Sequence, residues 1–431
     1  MNLLSIVYNA LGIPALEVAR SVVKPFNAKL RERESLWEDT VESLEHLPAG
    51  RPRLWVHAAS MGEFEQAKPV IERVKNRMPD LLVICSFYSP SGMNTQRNYP
   101  QADGLVYMPF DRRSDAMFFI KSIAPDAAVF VRYEIWRNHL ELMKKLGIPS
   151  MLIDATRPGS AAFESFAPAR AFLRSSLNFF DNIYTVGPEH TAYFERLGVR
   201  SPVQTLSDTR ADRIADKVGE ARSNPLVPES LFAGEFCLVA GSVWPPDEEI
   251  LIPAINKINV DKLKIRAIFV PHEPTEKHIK ELRQKLGGGV LLSQLIEQAG
   301  LGEKNAEILL EDNHIIVDSI GKLLKLYAHA DAAYIGGAFG DGVHSVTEPA
   351  GYGVPLAAGP SIENSPDAPA IEKLGALTRL RTADDAWRWL NEMINDREKA
   401  ETRGRIAGEY VTAALGASDI IAEKILRILN K

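Results

Sequence analysis

At 431 residues, with 45% hydrophobic and 25% charged side chains, the chain has length and apolar content for two globular domains of about 200 residues each. A formal net charge of −6 gives no support to a nucleic-acid binder. The two cysteines, Cys85 in VICSF and Cys237 in FCLVA, read as buried thiols of a reducing compartment, and no cysteine or histidine cluster has zinc spacing.

Met1–Leu16 carries no charged side chain, but it lacks the basic lead and small-residue cleavage site of a secretory signal. It also reads as too short, and too broken by Asn2, Asn9 and Pro14, to span a bilayer. Leu3, Leu4, Val7 and Leu11 share one helical face, and Arg20, Lys24, Lys29, Arg31 and Arg33 follow. Residues 1–40 are therefore expected to lie as an amphipathic segment on an anionic membrane surface. The alternative is a helix packed on its own domain.

From Pro48 onward the pattern alternates between strand-like and helix-length runs. Apolar runs at Leu54–His57, Leu81–Phe87, Leu105–Met108, Ala127–Val131, Met151–Ile153 and Ile183–Val186 are separated by helical segments. These include Phe64–Met78, Ala116–Ile123, His139–Leu146 and Pro168–Asn178. Residues 206–234 are polar and proline-bearing and read as a linker. A second series has strands at Phe236–Ala240, Ile265–Val270, Val290–Leu292, Ile315–Val317, Ala332–Ile335 and Pro355–Ala358, and 396–431 reads as helical. The expected architecture is α/β. Two doubly wound Rossmann-like domains, 41–205 and 235–395, would face a central cleft from their strand C-termini.

Candidate chemistry falls at the strand ends. Glu63, in HAASMGE after the first strand, can serve as a general base. It can equally be the acid of a capping box opened by Ser60. Glu134 in VRYEIWRN either holds a catalytic group, meets a positive partner, or is a first-turn acid. Arg210 in SDTRADR can reach an anionic ligand, or pair with Asp208 or Asp212. In the second half, Ser242, Pro271 and His272 follow strands, and DSIGKLL (318–324) offers helix N–H groups as a phosphate cradle. The stretch Asp331–Pro360 reads as strand, glycine-rich turn (Gly336, Gly337, Gly340, Gly342), short helix and strand, the grammar of a nucleotide site. Glu348 in its helix can accept hydrogen bonds from two ribose hydroxyls, or simply favour the helix dipole.

Taken in order, HAASMGE, YEIW, SDTRADR, AGSVWPPDEE, VPHEP, DSIGKLLKLYAHADAAYIGG and HSVTEPAGYGVPLAAGP resemble the 3-deoxy-D-manno-octulosonic acid (Kdo) transferases, lipopolysaccharide inner-core enzymes. The resemblance runs from about residue 50 to 362, and Leu3–Trp37 is similar to that family's membrane-associated lead. It implies a GT-B glycosyltransferase with CMP-Kdo as donor, no metal and no further cofactor. The acceptor would be the glucosamine disaccharide of a lipid A precursor, which receives Kdo with inversion at the anomeric carbon, at the cytoplasmic face of the inner membrane. Glu63 matches the family's proton acceptor, and Glu134 and Arg210 match positions assigned to transition-state stabilisation. Pro271-His272, Ile320-Gly321-Lys322 and Ser345-Val346-Thr347-Glu348 match the CMP-binding segments. Departures are also present. A frequent Pro-Arg is Pro-His at 271–272, the common Asn-Pro-Leu-Glu is Ser-Val-Thr-Glu at 345–348, and SIENSPDAP replaces the usual aromatic loop after Pro360. Arg157, in DATRPGS, is a candidate partner for the Kdo carboxylate. The competing readings are another GT-B nucleotide-sugar transferase or a sugar-nucleotide epimerase. A Rossmann-type dehydrogenase is disfavoured because HAASMGE stands where G-x-G-x-x-G would.

Overall fold

Apolar runs buried on both faces make the chain fold around parallel strands, since such runs have no solvent side to present. The computed structural model describes residues 3–159, 166–260, 264–311 and 313–430. It divides into two units, one of residues 1–213 with 415–431 and one of 214–414.

The first unit holds β1 (Arg53–Ala58), β2 (Leu82–Phe87), β3 (Gly104–Tyr107), β4 (Ala127–Val131), β5 (Ser150–Ala155), β6 (Asn182–Thr185) and β7 (Val203–Thr205). All are parallel, in the order β3-β2-β1-β4-β5-β6-β7. Five of six residues in β1 and all six in β2 are buried. The order reverses between β1 and β4, where His57 lies opposite Phe130. Ligands of open α/β sheets bind beyond strand C-termini at such a point.

The second unit repeats the plan with β8 (Phe236–Val243), β9 (Ile265–Pro271), β10 (Val290–Leu291), β11 (Ile315–Ile316), β12 (Ala332–Ile335), β13 (Leu356–Ala358) and β14 (Leu377–Arg379). Their order is β10-β11-β9-β8-β12-β13-β14, again all parallel. The reversal falls between β8 and β12, with Gly241 opposite Ile335. Both cysteines are buried and unpaired by disulfides, in β2 and β8, and burial pushes both thiols up.

Two boundaries differ from the sequence expectation. The stretch 206–234 contains a helix, Arg210–Ser223, rather than a linker without structure. Its Ile214, Val218 and Ala221 pack on the second unit's core, an i, i+4, i+7 stripe hidden in a polar composition. Residues 396–431 do not stay together. The Arg397–Thr412 helix belongs to the second unit, whereas Ala417–Leu429 returns to the first. There Ile421, Ala422 and Ile425 join the core beside β1 and β2. Burying each isoleucine stabilises by about 1.5–3 kcal/mol. Asp212 accepts from the backbone N–H groups of Gly416 (2.7 Å) and Ser418 (2.8 Å), and Arg73 and Arg77 both bond Asp419.

The N-terminal segment also differs. Leu3–Phe26 is one unbroken helical run, long and apolar enough by length and composition to cross a membrane, so Asn9 and Pro14 do not break it. Pro14 sits where the run passes from a π-helical turn, Tyr8–Gly12, into the α-helical stretch Ile13–Val23. Leu3, Val7, Leu11, Val18, Val22 and Phe26 are exposed. The other side docks on the first unit through polar side chains: Tyr8 Oη donates to Asp111 (2.9 Å), Asn9 pairs with Asn138, and Ser5 Oγ accepts from the buried Arg137 guanidinium (2.9 Å).

Candidate active site

The helix Met61–Arg77 begins directly after β1, capped by Ser60 in a full capping box with Glu63. Glu63 Oε2 accepts from the N–H of Ala59 (2.7 Å) and of Ser60 (3.1 Å). The cap is thus real, but the same carboxylate is more than half buried. Burial and the neighbouring charge of Glu134 push its pKa above the ordinary range. The two backbone N–H groups and His57 pull the other way and do not prevail. Capping and base chemistry are compatible: one oxygen holds the backbone, and the raised pKa makes the carboxylate a stronger proton acceptor.

Glu134 lies just past β4 across the β1–β4 junction. Its Oε2 accepts from His57 Nε2 (3.0 Å) and from Trp136 Nε1 (2.8 Å). Burial alone would raise this acid, yet the hydrogen bond from His57, together with that from Trp136, brings it below its ordinary value. Two adjacent carboxyls are driven in opposite directions, one toward proton acceptance and one toward permanent charge. His57 is fully buried, and Nδ1 lies 2.8 Å from Ser86 Oγ, which accepts from Trp55 Nε1 at 2.7 Å. Trp55 supplies the donor to that hydroxyl, so the Ser86 O–H is directed at Nδ1 and Nε2 carries the proton aimed at Glu134.

Arg210 opens the helix Arg210–Ser223. Its Nε and Nη2 lie 3.0 and 2.7 Å from Asp208 Oδ2, an ion pair that holds Asp208 low against its burial. Asp212 caps the C-terminal helix and does not join that pair. Asp208 also accepts from Gln66 Nε2 (2.9 Å), and Gln66 Oε1 accepts from Arg132 Nε (2.7 Å). Gln66 lies one turn from Glu63 on the same helix, so Glu63, Glu134 and Arg210 are joined to one end of the first sheet. Beneath them, Asp154 is buried and held well above the carboxylate range, by burial first and by the charge of Asp208 second. Its two oxygens meet Thr209 N (2.8 Å) and Thr209 Oγ1 (2.7 Å), and that hydroxyl lies 2.7 Å from the Gln66 carbonyl.

The second unit gathers the nucleotide-like motifs around the β8–β12 junction. Asp247, at the start of the Pro245–Val260 helix, accepts from Trp244 N (2.8 Å), Gly337 N (3.1 Å) and Tyr334 Oη (2.6 Å). Gly337 has φ +94°, and a Cβ on Gly336 would fall 2.3 Å from the Ser242 carbonyl, so this turn admits glycine alone. Asn364 secures the loop from outside, accepting from Val343 N (3.0 Å) and donating to Val343 O (2.9 Å). The SIENSPDAP stretch thus fastens the glycine loop. Pro271 is buried and His272 exposed at the end of β9. The His272 ring stacks between Trp244 (centroids 4.8 Å) and His344 (4.4 Å, 11° between planes). Burial and the charge of His272 lower His344. Position 272 is therefore an aromatic stacking position.

Ile320 is 80% exposed, Gly321 has φ +76°, and Lys322 is the N-cap of a single helical turn, Leu323–Leu326. This turn is followed by a 3-10 turn, Tyr327–His329. Asp318, in the same loop, bonds Ser293 N (3.2 Å). Ser345 is exposed, Val346 buried, and Thr347 and Glu348 open the short helix Thr347–Ala350, with Glu348 half-buried. Among the described residues no group of three or more His, Cys, Asp or Glu is placed to hold a metal ion. The supporting residues Ser86, Trp136, Asp247 and Asn364 were not singled out by the sequence. Ser86 and Asn364 meet their partners across the chain, Trp136 bonds Glu134 two residues before it, and Asp247, the third residue after Trp244, had a local signal as a helix-start acid.

Residues 28–213 match the family model of 3-deoxy-D-manno-octulosonic-acid transferase. The curated 3-deoxy-D-manno-octulosonic acid transferase of Chlamydophila psittaci is 28% identical over 347 residues, covering 77% of this chain and 75% of its own. That of Rickettsia bellii is 20% identical over 361 residues, covering 83% of each. Among solved structures, the UDP-GlcNAc 2-epimerase of Neisseria meningitidis superposes with TM-score 0.56 at 12% identity, covering 87% of this chain and all of its own. MurG of Acinetobacter baumannii superposes with TM-score 0.53 at 13% identity, covering 87% and 99%. The structural neighbours establish the GT-B fold. The sequence relatives go further: residues 28–213 carry the 3-deoxy-D-manno-octulosonic-acid transferase family's own pattern, and the curated relatives that align over most of the chain are transferases of that kind, which supports a Kdo-transferring glycosyltransferase of lipopolysaccharide biosynthesis.

Proposed function

We propose that the protein transfers Kdo from CMP-Kdo to a hydroxyl of the glucosamine disaccharide of a lipid A precursor, with inversion and without a metal or other cofactor. The observation that carries the reading is the divergent pair at the β1–β4 junction: Glu63 raised by burial and by Glu134, Glu134 lowered by His57 and Trp136. Glu63 takes the acceptor hydroxyl proton as that oxygen attacks the anomeric carbon, and the bond from that carbon to the CMP phosphate oxygen breaks on the opposite face. Glu134 and Arg210 stabilise charge developing in the transition state. The first unit then serves the acceptor and the second the donor. Pro271 and His272, the Ile320-Gly321-Lys322 turn and the Ser345–Glu348 segment receive CMP, with Glu348 on the ribose hydroxyls. The exposed apolar side of Leu3–Phe26 supports peripheral attachment to the cytoplasmic face of the inner membrane, because its opposite side is tied to the first unit by polar bonds.

The test is transfer of labelled Kdo from freshly made CMP-Kdo to a tetra-acylated lipid A precursor, with and without chelator. Labelled lipid formed in chelator is the expected result. Absence of product from folded protein would sink the donor–acceptor assignment, and competition by UDP rather than CMP would favour another nucleotide-sugar enzyme.

A further inference from the structure

Two elements that precede β1 reach the same indole. Trp136 stands at the start of the Arg137–Leu146 helix and donates from Nε1 to Glu134 at 2.8 Å. Its side chain does not cap that helix. Asp111, in the loop ahead of the Arg113–Ile123 helix, does so from outside. It accepts from the N–H of Asn138 (3.1 Å), the N–H of His139 (3.4 Å) and His139 Nδ1 (2.8 Å), the service that a carboxylate renders at a helix start. Asp111 is only 4% exposed, and a buried carboxylate depends on every donor it has. One more donor comes from the N-terminal run, where Tyr8 Oη lies 2.9 Å from Asp111 Oδ2. The adjacent Asn9 pairs with Asn138 through both amide groups, each bond at 2.9 Å. The run thus grips the first turn of this helix at two points.

His139 carries the link to the indole. Its ring is fully buried, fixed by the bond from Nδ1 to Asp111, and meets Trp136 edge-on (centroids 6.1 Å, 87° between planes). Trp136 also packs on Tyr88 (5.3 Å), and the Arg33 guanidinium lies 3.9 Å from the Tyr88 ring centroid. Arg33 is buried and belongs to the Ala28–Glu42 helix, which follows the run. Packed aromatic rings transmit displacement because close-packed interiors leave them little room to yield. A segment that served only as a tether would need its apolar side, and no bond to a buried carboxylate. We propose that the N-terminal run is also a positioning element of the transfer site: Tyr8, acting through Asp111 and His139, holds Trp136 and with it Glu134. Seating of the run and placement of Glu134 are then one event. The proposal rests on the transfer reading for the part played by Glu134. Tyr8 and Asp111 are positioning residues, since they act through Trp136.

The test uses the full chain in detergent micelles with CMP-Kdo and the lipid acceptor, so that attachment to a bilayer does not limit the rate. Tyr8→Phe deletes one hydroxyl and keeps the ring on Phe172 (centroids 5.1 Å). Fluorotryptophan is incorporated in wild type and variant, and the Trp136 fluorine signal is assigned with Trp136→Phe. In Tyr8→Phe the unfolding midpoint should stay near wild type while the Trp136 signal shifts or broadens. kcat should fall by about tenfold with both KM values within about twofold, the scale of one hydrogen bond. The acid limb of kcat/KM should move to lower pH, because a displaced Glu134 no longer raises Glu63. Asp111→Asn, which loses the charge and keeps one accepting oxygen, should change all three in the same direction. An unmoved signal with wild-type kcat would make the run a tether alone and overturn the proposal. A moved signal with kcat and acid limb unchanged would detach the run from the transfer site and overturn it as well. The fluorine readout needs no turnover. A wild type that fails to transfer Kdo, but whose Trp136 signal still responds to Tyr8→Phe, would defeat the transfer reading and support the mechanical link.

Discussion

His57 Nε2 lies 3.0 Å from Glu134 Oε2, while its Nδ1 faces Ser86 Oγ at 2.8 Å. The ring is thus a fixed spacer from β2 through β1 to the acid beyond β4. Ser86→Ala removes the hydroxyl that selects the tautomer and leaves Trp55 Nε1 without its acceptor. We expect the ring to remain buried but to donate to Glu134 in only part of the population. kcat should fall by about tenfold with KM for CMP-Kdo little changed, on the usual scale of one hydrogen bond. Steady-state kinetics at saturating donor decides it. An unchanged kcat would show that the tautomer does not matter.

Glu63→Gln keeps the capping geometry, since glutamine also serves at that position of a capping box, but removes the base. Transfer should drop by roughly 10²–10⁴-fold, with CMP binding and unfolding midpoint near wild type. Loss of CMP binding instead would assign Glu63 a purely structural part.

Glu134 raises Glu63, and a base works only when deprotonated. Removing the neighbouring negative charge in Glu134→Gln makes ionisation of Glu63 easier, so its pKa falls. The acid limb of kcat/KM against pH should then move to lower pH, even though the maximum rate is reduced. A limb that stays in place would mean that another group titrates there.

Asp154 is held protonated in the folded chain by burial and by Asp208. The native state therefore keeps a proton that the unfolded chain releases near its ordinary pKa. The folded-state pKa lies near 8, so this contribution to stability is full below about pH 4 and is lost as pH rises toward 8. The protonated acid donates to Thr209 Oγ1, which donates to the Gln66 carbonyl, and an amide nitrogen reproduces that donor. Asp154→Asn should thus raise the thermal midpoint, by more at pH 8 than at pH 5, with roughly 2–4 °C for each kcal/mol in a unit of this size. Equal shifts at both pH values would show that Asp154 is not the titrating group.

Asn364→Ala frees the glycine loop from both of its bonds to Val343. KM for the donor should rise by about tenfold while kcat at saturating donor stays within about twofold, because the proposed part of this loop is to receive the donor and not to move the proton. Initial rates over a donor series test this.

The alternation of apolar runs made both sheets legible in the sequence, because a strand buried on both faces needs an unbroken apolar run. β7 and β14, each three residues at a sheet edge, lacked that signal. The helix Arg210–Ser223 was hidden by its charges, though Ile214, Val218 and Ala221 carried the helical period. Glu63 and Glu134 were legible because they follow strands at the point of order reversal. Their opposite tuning was not, since it depends on Trp136, His57 and Ser86 meeting across strands that are distant in sequence. Asp154 has no local mark, since its raised pKa comes from burial first and from Asp208 second. Tyr8, Asp111 and Trp136 share no local pattern, and only the fold joins them.

The return of Ala417–Leu429 to the first unit has a consequence for synthesis. The first module cannot be completed until Ala417–Leu429 has left the ribosome, after the whole second module has emerged. Its nascent sheet must wait with the groove for Ile421, Ala422 and Ile425 uncovered. A chain stalled or truncated before Ala417 would therefore fail in the half made first.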